Sequence, residues 1–548
     1  MSSARDSSRP ADGAILGAAV RTMDDDQPTA SALAWRDGVL VAVGGEDDVR
    51  PLIGAGTQVI DGRGLAVLPG LVDSHIHPFH GTVQTRGVDL RSAATLDEVR
   101  SRLAAERRRC APGAWVLGHS VRYEPFHESG IRADAIADVL GDTPALLGFY
   151  DGHTALATQP ALALAGVTGP REFAEFAEVV CDADGRPTGA LLENGAMNLV
   201  RSVVPAWTEA ERLDAFARTF RALNRVGLTG GHVMLGDPEL LEVCRVLEER
   251  GDLTVRLLVP MHQEPGISDD EVERRLGLAG EHGARWRAGT AKFFLDGVLD
   301  SGTAWLVDPG PGGVNADPFW PDVDRYRELV ARFTRAGFSA ITHAVGDGAV
   351  RGALDAYEAA GRPARGKHRI EHIETLMDAD LPRFAALDVA ASMQPLHMEG
   401  LDDPATPSSW VDGLSEGRYE RGFRARDLAD SGAIVPLGSD WMVADFDPRV
   451  GMAWARLRRK PGAGDRVPYL PGQALTAEQT LRGYTVWAAA VAGDEGVYGR
   501  LRPGLRADVT ALAADPAEVA PDELPGVPVL LTVVDGEVVH RDGGVSGD

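Results

Sequence analysis

Lysine is nearly missing from this chain. Of 55 basic residues among 548 only Lys292, Lys367 and Lys460 are lysines, and arginine supplies the rest. Positive charge as a whole is in deficit: 81 acidic residues leave a formal net charge of −26. That balance argues against a nucleic-acid partner or an anionic membrane surface, both of which need clustered cations. Cysteine is equally scarce. Cys110, Cys181 and Cys244 lie far apart, without the spacing of a thiolate metal site or a disulfide framework, and read as reduced thiols of a cytoplasmic protein. No apolar run approaches the ~18 residues a membrane helix needs. The polar start over residues 1–12 carries no signal-peptide core, so export is not expected. Hydrophobic residues still make up 44 %, enough for a sizeable core. The expected partner is a small molecule, and the composition leaves self-association into a homodimer open.

The most informative feature present is an apolar run at residues 67–78 that ends in His75-Ile76-His77. Bounded by Pro69-Gly70 and Pro78, the run reads as one buried strand of a parallel sheet. Side chains two apart on a strand share a face, so His75 and His77 project together as half of a metal site. The alternative is two histidines in a polar turn. Apolar strands followed by polar breaks recur at 228–234, 254–260, 291–297, 338–343, 369–372, 389–394 and 434–440, making eight with the first. Helical patterns at 237–250, 324–336 and 350–359 intervene. Alternating strands and helices of this number predict a (β/α)8 barrel, whose chemistry sits at the carboxyl ends of the strands. Histidine or aspartate ends four of these strands, the first, fifth, sixth and eighth: His77, His343, His372 and Asp440.

The scarce lysine gains meaning here. Lys367 and Lys460 lie in basic, loop-like surroundings, whereas Lys292 lies inside an apolar strand, where an ammonium is costly to bury. A desolvated lysine can lose its proton and add carbon dioxide as a carbamate, an anionic ligand with two oxygens able to bridge two ions. The alternative is a lysine paired with a buried acid such as Asp296.

Together His75, His77, Lys292, His343, His372 and Asp440 resemble the ligand set of the amidohydrolase superfamily in its binuclear form with a carboxylated lysine. The stretches LPGLVDSHIH (68–77), Asp151-Gly152-His153, Pro187-Thr188-Gly189, KFFLDG (292–297), HAVGDG (343–348), Ile370-Glu371-His372, Gln394-Pro395-Leu396-His397 and Gly438-Ser439-Asp440 resemble amidohydrolase family 3, the branch that includes N-substituted formamide deformylases. One departure is Ser301-Gly302-Thr303-Ala304, where the family often shows Ser-Arg-Thr-Ala. The resemblance implies two divalent ions per chain, zinc being expected. A water activated by them attacks a C–N amide-type bond of an N-formyl or N-acyl amine, and Asp440 moves the proton. It also implies a small β-sandwich built from both chain ends.

The expected organisation is therefore residues 14–66 and 500–543 as the two parts of that sandwich and 67–499 as the barrel, with a long insertion at 79–226 between strands one and two. Turns at Arg36-Asp37-Gly38 and Asp535-Gly536 fit short antiparallel strands at the ends. An insertion on the active rim is well placed to shape a substrate pocket. Tyr123, Asp151, His153 and Glu193 within it, with Asp296 and His397 from the barrel, are the candidate substrate contacts. His119, also in the insertion, is weighed with them. His153, His232 and His397 are candidate oxyanion donors, with His232 read more simply as a hydrogen-bonded core histidine. A heterocycle deaminase commonly carries a glutamate three residues after the strand-five histidine; here that position is Gly346, which counts against it. A non-catalytic scaffold would be expected to have lost ligands, and all six are present.

Overall fold

The computed structural model describes residues 9–111, 113–150, 154–173, 177–402, 408–414 and 417–543. Seven parallel strands form one sheet: β1 (Leu71–Ile76), β2 (Leu228–Val233), β3 (Arg256–His262), β4 (Trp286–Phe294), β5 (Ser339–Ala344), β6 (Arg369–His372) and β7 (Ala390–Ser392), each paired with the next in sequence order. Their residues are almost wholly buried, as expected of parallel strands covered on both faces. Helices follow the strands: α1 (Pro238–Glu249) after β2, α2 (Val323–Arg335) after β4 and α3 (Asp347–Ala360) after β5. Asp237 and Asp322 cap the first two by accepting backbone N–H groups of their opening turns.

The eighth expected strand, at 434–440, is corrected to an irregular segment that bonds to both edges of the sheet. Ala391 and Met393 donate to the carbonyls of Ile434 and Pro436 at 3.0 Å, while Ser74 and His77 donate to those of Leu437 and Trp441 at 3.0 Å. Pro436 has no N–H to give and Asp440 sits at a φ of 55°, so ladder pairing is interrupted. The seven strands and this segment make a nearly closed barrel. The run at 67–78 is also corrected. It is two strands, Ala66–Pro69 and β1, joined at Gly70 and belonging to different sheets. A Cβ on Gly70 would lie 2.2 Å from Thr229 Oγ1, so only glycine lets the chain turn against β2 there.

Ala66–Pro69 belongs to an eight-stranded sheet drawn from both chain ends, ordered Glu537–Arg541, Val529–Val534, Val509–Leu512, Ala66–Pro69, Gly13–Arg21, Thr29–Arg36, Val39–Gly44, with Gln58–Asp61 beside Gly13–Arg21. Its two tight hairpins turn at Asp37-Gly38 and Asp535-Gly536, both residues of each pair at positive φ, as a type I′ turn requires. Ile15, Leu33, Trp35, Val67, Val509, Leu531 and Val533 share its core.

The chain divides into two compact units, one running to Pro78 and resuming at Ala217, the other Phe79–Phe216. The second unit has its own six-stranded sheet, ordered Glu178–Cys181, Pro187–Leu192, Thr154–Ala157, Ala145–Phe149, Val116–Val121, Val88–Asp89. Helix Leu96–Arg109 opens on a Thr95 cap, ends on Arg107, Arg108 and Arg109, and buries Val99 and Leu103 in an apolar cluster with Val116 and Leu147.

Candidate metal centre

β1 brings His75 and His77 to its carboxyl end, and their rings lie 5.6 Å apart. The backbone there is clamped. Asp73 Oδ1 accepts the N–H of His75 at 2.9 Å and that of Ser439 at 3.1 Å, and Asp440 donates its N–H to the His75 carbonyl at 2.7 Å. Gly438 permits this approach, since a Cβ there would meet His75 N at 2.5 Å. The clamp places Asp440 Oδ1 3.3 Å from His75 Nε2 and 3.0 Å from His77 Nε2. Burial opposes the charged form of Asp440, but the His75 and His77 rings outweigh it and hold the carboxyl well below the usual carboxylate range.

β5 and β6 bring His343 and His372 beside them, with ring centroids 4.4 Å apart, and His372 lies 4.8 Å from the His75 ring. His343 donates Nε2–H to the Gly297 carbonyl at 2.9 Å. A carbonyl can only accept, so the neutral ring keeps its lone pair on Nδ1. Burial, with the Lys292 ammonium beside it, pushes His343 down to about 3. Burial likewise pushes His372 well below the ordinary range. These rings are neutral, the state in which imidazole binds a metal. His397, just past β7, stacks on His372 at 5.5 Å with Nε2 3.6 Å from Asp440 Oδ2 and Nδ1 3.5 Å from Glu374 Oε1. Burial lowers its basicity, but the two carboxylates more than compensate and raise it.

Lys292 on β4 is 1 % exposed, and its Nζ has no hydrogen-bond partner among the described residues. It lies 4.8 Å over the Phe294 ring, and burial pushes its pKa down to about 8. Asp296 is not its counter-ion. Its carboxylate accepts the backbone N–H groups of Trp305 (2.9 Å), Val345 (3.0 Å) and Gly346 (2.8 Å), so its oxygens serve the loops after β4 and β5.

Two sets of donor atoms converge within 4.8 Å: His75, His77 and Asp440, and His372, His397 and Asp440. Donors held by one ion at about 2.0–2.2 Å stand roughly 3.0–3.5 Å apart, which the spacings of 3.0 and 3.3 Å around Asp440 match. His372 Nδ1 and His397 Nε2 are buried without hydrogen-bond partners among the described residues, an expensive condition unless a ligand takes their lone pairs or protons. The residues present therefore fit divalent ions. His343 lies against this cluster but in neither tight set.

Of the other candidates, Tyr123 and Glu193 belong to the second unit. Tyr123 shares a 2.7 Å hydrogen bond with Thr154 Oγ1, and Glu193 opens helix Glu193–Arg201 at a φ of 61°. Asp151 and His153 lie outside the described residues. His232 is a core histidine held between Arg369 (3.0 Å) and the Tyr498 hydroxyl (3.2 Å). Sequence reading gave no role to Asp73, His262, Arg369, Glu371 or Glu374. A signal was available for two of them: Arg369 and Glu371 are charges in a strand of a parallel sheet expected to be buried on both faces. His262 ends β3 opposite Lys292 in the ladder, with Nε2 buried and unpartnered among the described residues.

A parallel barrel with a buried histidine–aspartate cluster at the carboxyl ends of its strands is the arrangement of a metal-dependent hydrolase. Residues 58–540 match the model of the amidohydrolase family, and the chain belongs to that family. N-substituted formamide deformylase of Arthrobacter pascens is 28 % identical over 560 residues, covering 97 % of this chain and 98 % of that one. YtcJ of Bacillus subtilis (strain 168) is 27 % identical over 540 residues, covering 96 % and 98 %. Among solved structures, an uncharacterized metal-dependent hydrolase from Pyrococcus horikoshii OT3 matches with a TM-score of 0.73 at 22 % identity, covering 93 % of this chain and 99 % of that one. No helix among the described residues is long and apolar enough to cross a membrane.

Proposed function

We propose that this chain hydrolyses a C–N amide-type bond of a small molecule, an N-formyl or N-acyl amine or a related amide, at a centre of two divalent ions, zinc being the ion its donors suit best. His75, His77 and Asp440 would hold one ion, His343 and His372 the other, and a carboxylated Lys292 would bridge them. When bound, the ions lower the pKa of a water and polarise the substrate carbonyl. The observation that carries the reading is Lys292: a buried amine without a partner among the described residues, softened to about 8, beside four imidazoles and a carboxylate. At that pKa a useful fraction is the neutral amine, which adds carbon dioxide to form an N–C bond and releases one proton. Asp440 takes the proton of the attacking water and returns it to the leaving amine, general base and then general acid. His397, held near Glu374, is the donor for the carbonyl oxygen as it gains negative charge. Gly302 holds a φ of 73°, so that loop presents no side chain where relatives often have arginine, which favours a different acyl or amine group. The sheet from the chain ends makes a small sandwich with a structural role.

Elemental analysis of protein purified without chelator, together with a panel of N-acyl amines, lactams and carbamates, tests the reading. About two divalent ions per chain and release of amine with carboxylate are expected. Release of ammonia from a heterocycle would transfer the site to a deaminase, and a metal-free, fully active protein would remove the mechanism.

A further inference from the structure

We propose that Glu371 is a positioning residue for His75, and that the buried Arg369–Glu371 pair decides which ring nitrogen His75 offers to an ion. The inference rests on the metal reading above and assigns a role to two residues outside the ligand set.

Glu371 and Arg369 are 0 % and 1 % exposed, with Arg369 Nε 2.9 Å from Glu371 Oε1. Burying such a pair costs several kcal/mol of hydration per ion, and apolar residues of the same volume would serve stability as well or better. The pair therefore calls for a use. Glu371 Oε2 lies 2.5 Å from His75 Nδ1. A carboxylate kept ionised by Arg369 can only accept, so Nδ1 carries a proton, and in the neutral ring that binds a metal the lone pair is on Nε2. That nitrogen is the one facing Asp440 Oδ1 at 3.3 Å. In that state the lone pair and the carboxylate oxygen face each other, an arrangement that a metal ion would join in place of a proton.

The pair also fixes position. Arg369 Nη1 donates to the Ser74 carbonyl at 2.9 Å, one residue before His75, and meets His232 Nδ1 at 3.0 Å, while His232 Nε2 meets the Tyr498 hydroxyl at 3.2 Å. A continuous buried chain runs from Tyr498 through His232, Arg369 and Glu371 to His75. β6 thus supplies one ligand directly, His372, and holds another, on β1, by the residue before it.

The test titrates zinc into metal-stripped protein against a chromophoric chelator, reading affinity and stoichiometry, with circular dichroism as a check on folding. Wild-type protein should take two ions. Glu371→Ala should weaken one ion about 10–100-fold and leave the other unchanged, because His343 and His372 do not use Glu371. Glu371→Gln, which keeps an acceptor but loses the charge, should fall between the two. Folded Glu371→Ala with both ions at wild-type affinity overturns the proposal, as does an equal weakening of both ions, the signature of general destabilisation. Should Glu371→Ala not fold, Glu371→Gln decides: an unchanged affinity for both ions overturns the proposal, and a selective loss supports it. Wild-type protein that binds no ion would instead defeat the metal reading itself.

Discussion

His75 and Lys292 are equally buried, each 1 % exposed, yet their corners of the site differ. The chain engages three of the four polar groups of His75, Nδ1 by Glu371, the backbone N–H by Asp73 and the carbonyl by Asp440, and aims Nε2 at Asp440. Around Lys292 the reverse holds. Its Nζ, His262 Nε2, His372 Nδ1 and His397 Nε2 have no hydrogen-bond partner among the described residues. The protein holds the first corner in place itself, ready for an ion, and leaves more of the second to be completed by what binds there. Pre-arranged groups cost nothing to reorganise when a ligand arrives. Unpartnered buried groups store a desolvation cost that a ligand relieves. The first corner fixes the geometry and the second supplies the drive for occupancy.

The largest effect is expected from Lys292→Arg. The change keeps a basic residue in an arginine-rich chain, but guanidinium stays protonated and cannot form a carbamate. On the proposed reading it would put a cation where two divalent ions would need an anion. Loss of at least one ion per chain and about a thousand-fold or greater loss of turnover should follow, with the circular dichroism spectrum retained. Lys292→Ala should be inactive as well, but partly restored by bicarbonate or propionate, which can enter the vacated space as a bridging anion. An arginine variant with full metal content and normal turnover would make Lys292 a structural cation and dissolve the contrast between the corners.

Metal removal ranks second. An ion present at a hundred to a thousand times its dissociation constant stabilises the folded chain by about 3–4 kcal/mol. Chelation should therefore lower the melting temperature, and the loss should be uneven. Amide hydrogen exchange should speed up more in β4 to β7 than in β1, whose backbone is clamped by Asp73 and Asp440 without any ion. Equal acceleration in both places would show that the first corner is no better formed than the second.

The sequence carried the barrel well because most parallel strands are apolar runs, and five of the seven begin and end within two residues of where their patterns place them. It failed where tertiary geometry overrides local pattern. Nothing in the run at 67–78 says that Gly70 hands the chain from one sheet to another, since the reason is Thr229, far away in sequence. The strand expected at 434–440 becomes irregular through Pro436 and the positive φ at Asp440. The ligand-type residues were legible by kind and spacing, since His-x-His and a lone lysine in an apolar strand are anomalies of the sequence itself. Their supports were not. Glu374 gains meaning only when His397 and Trp410, whose indole N–H it accepts at 2.7 Å, fold onto it.

The smallest effect concerns a histidine that belongs to neither corner. His368 is 3 % exposed, and the chain itself satisfies both ring nitrogens. Nδ1 accepts the Ala340 N–H at 2.9 Å, Nε2–H is donated to the Gly361 carbonyl at 2.9 Å, and the ring stacks on Tyr357 at 4.6 Å. With Nδ1 occupied as an acceptor there is no place for a second proton, and burial pushes the pKa down to about 4. An unfolded histidine titrates near 6.5. Between those values the unfolded chain binds more protons, so the stability His368 contributes is complete above about pH 6.5 and is lost as the pH falls toward 4, by about 3 kcal/mol in all. Comparing metal-free wild type with His368→Gln by denaturant unfolding isolates this share. The variant should be the less stable at pH 7.5, and the gap should narrow by about 2–3 kcal/mol near pH 4.5. Parallel curves for the two proteins would mean that His368 takes up its proton without disturbing the fold. Being partnered by the chain would then make a buried histidine no more sensitive to acid, and the distinction drawn between the corners of the site would lose its energetic basis.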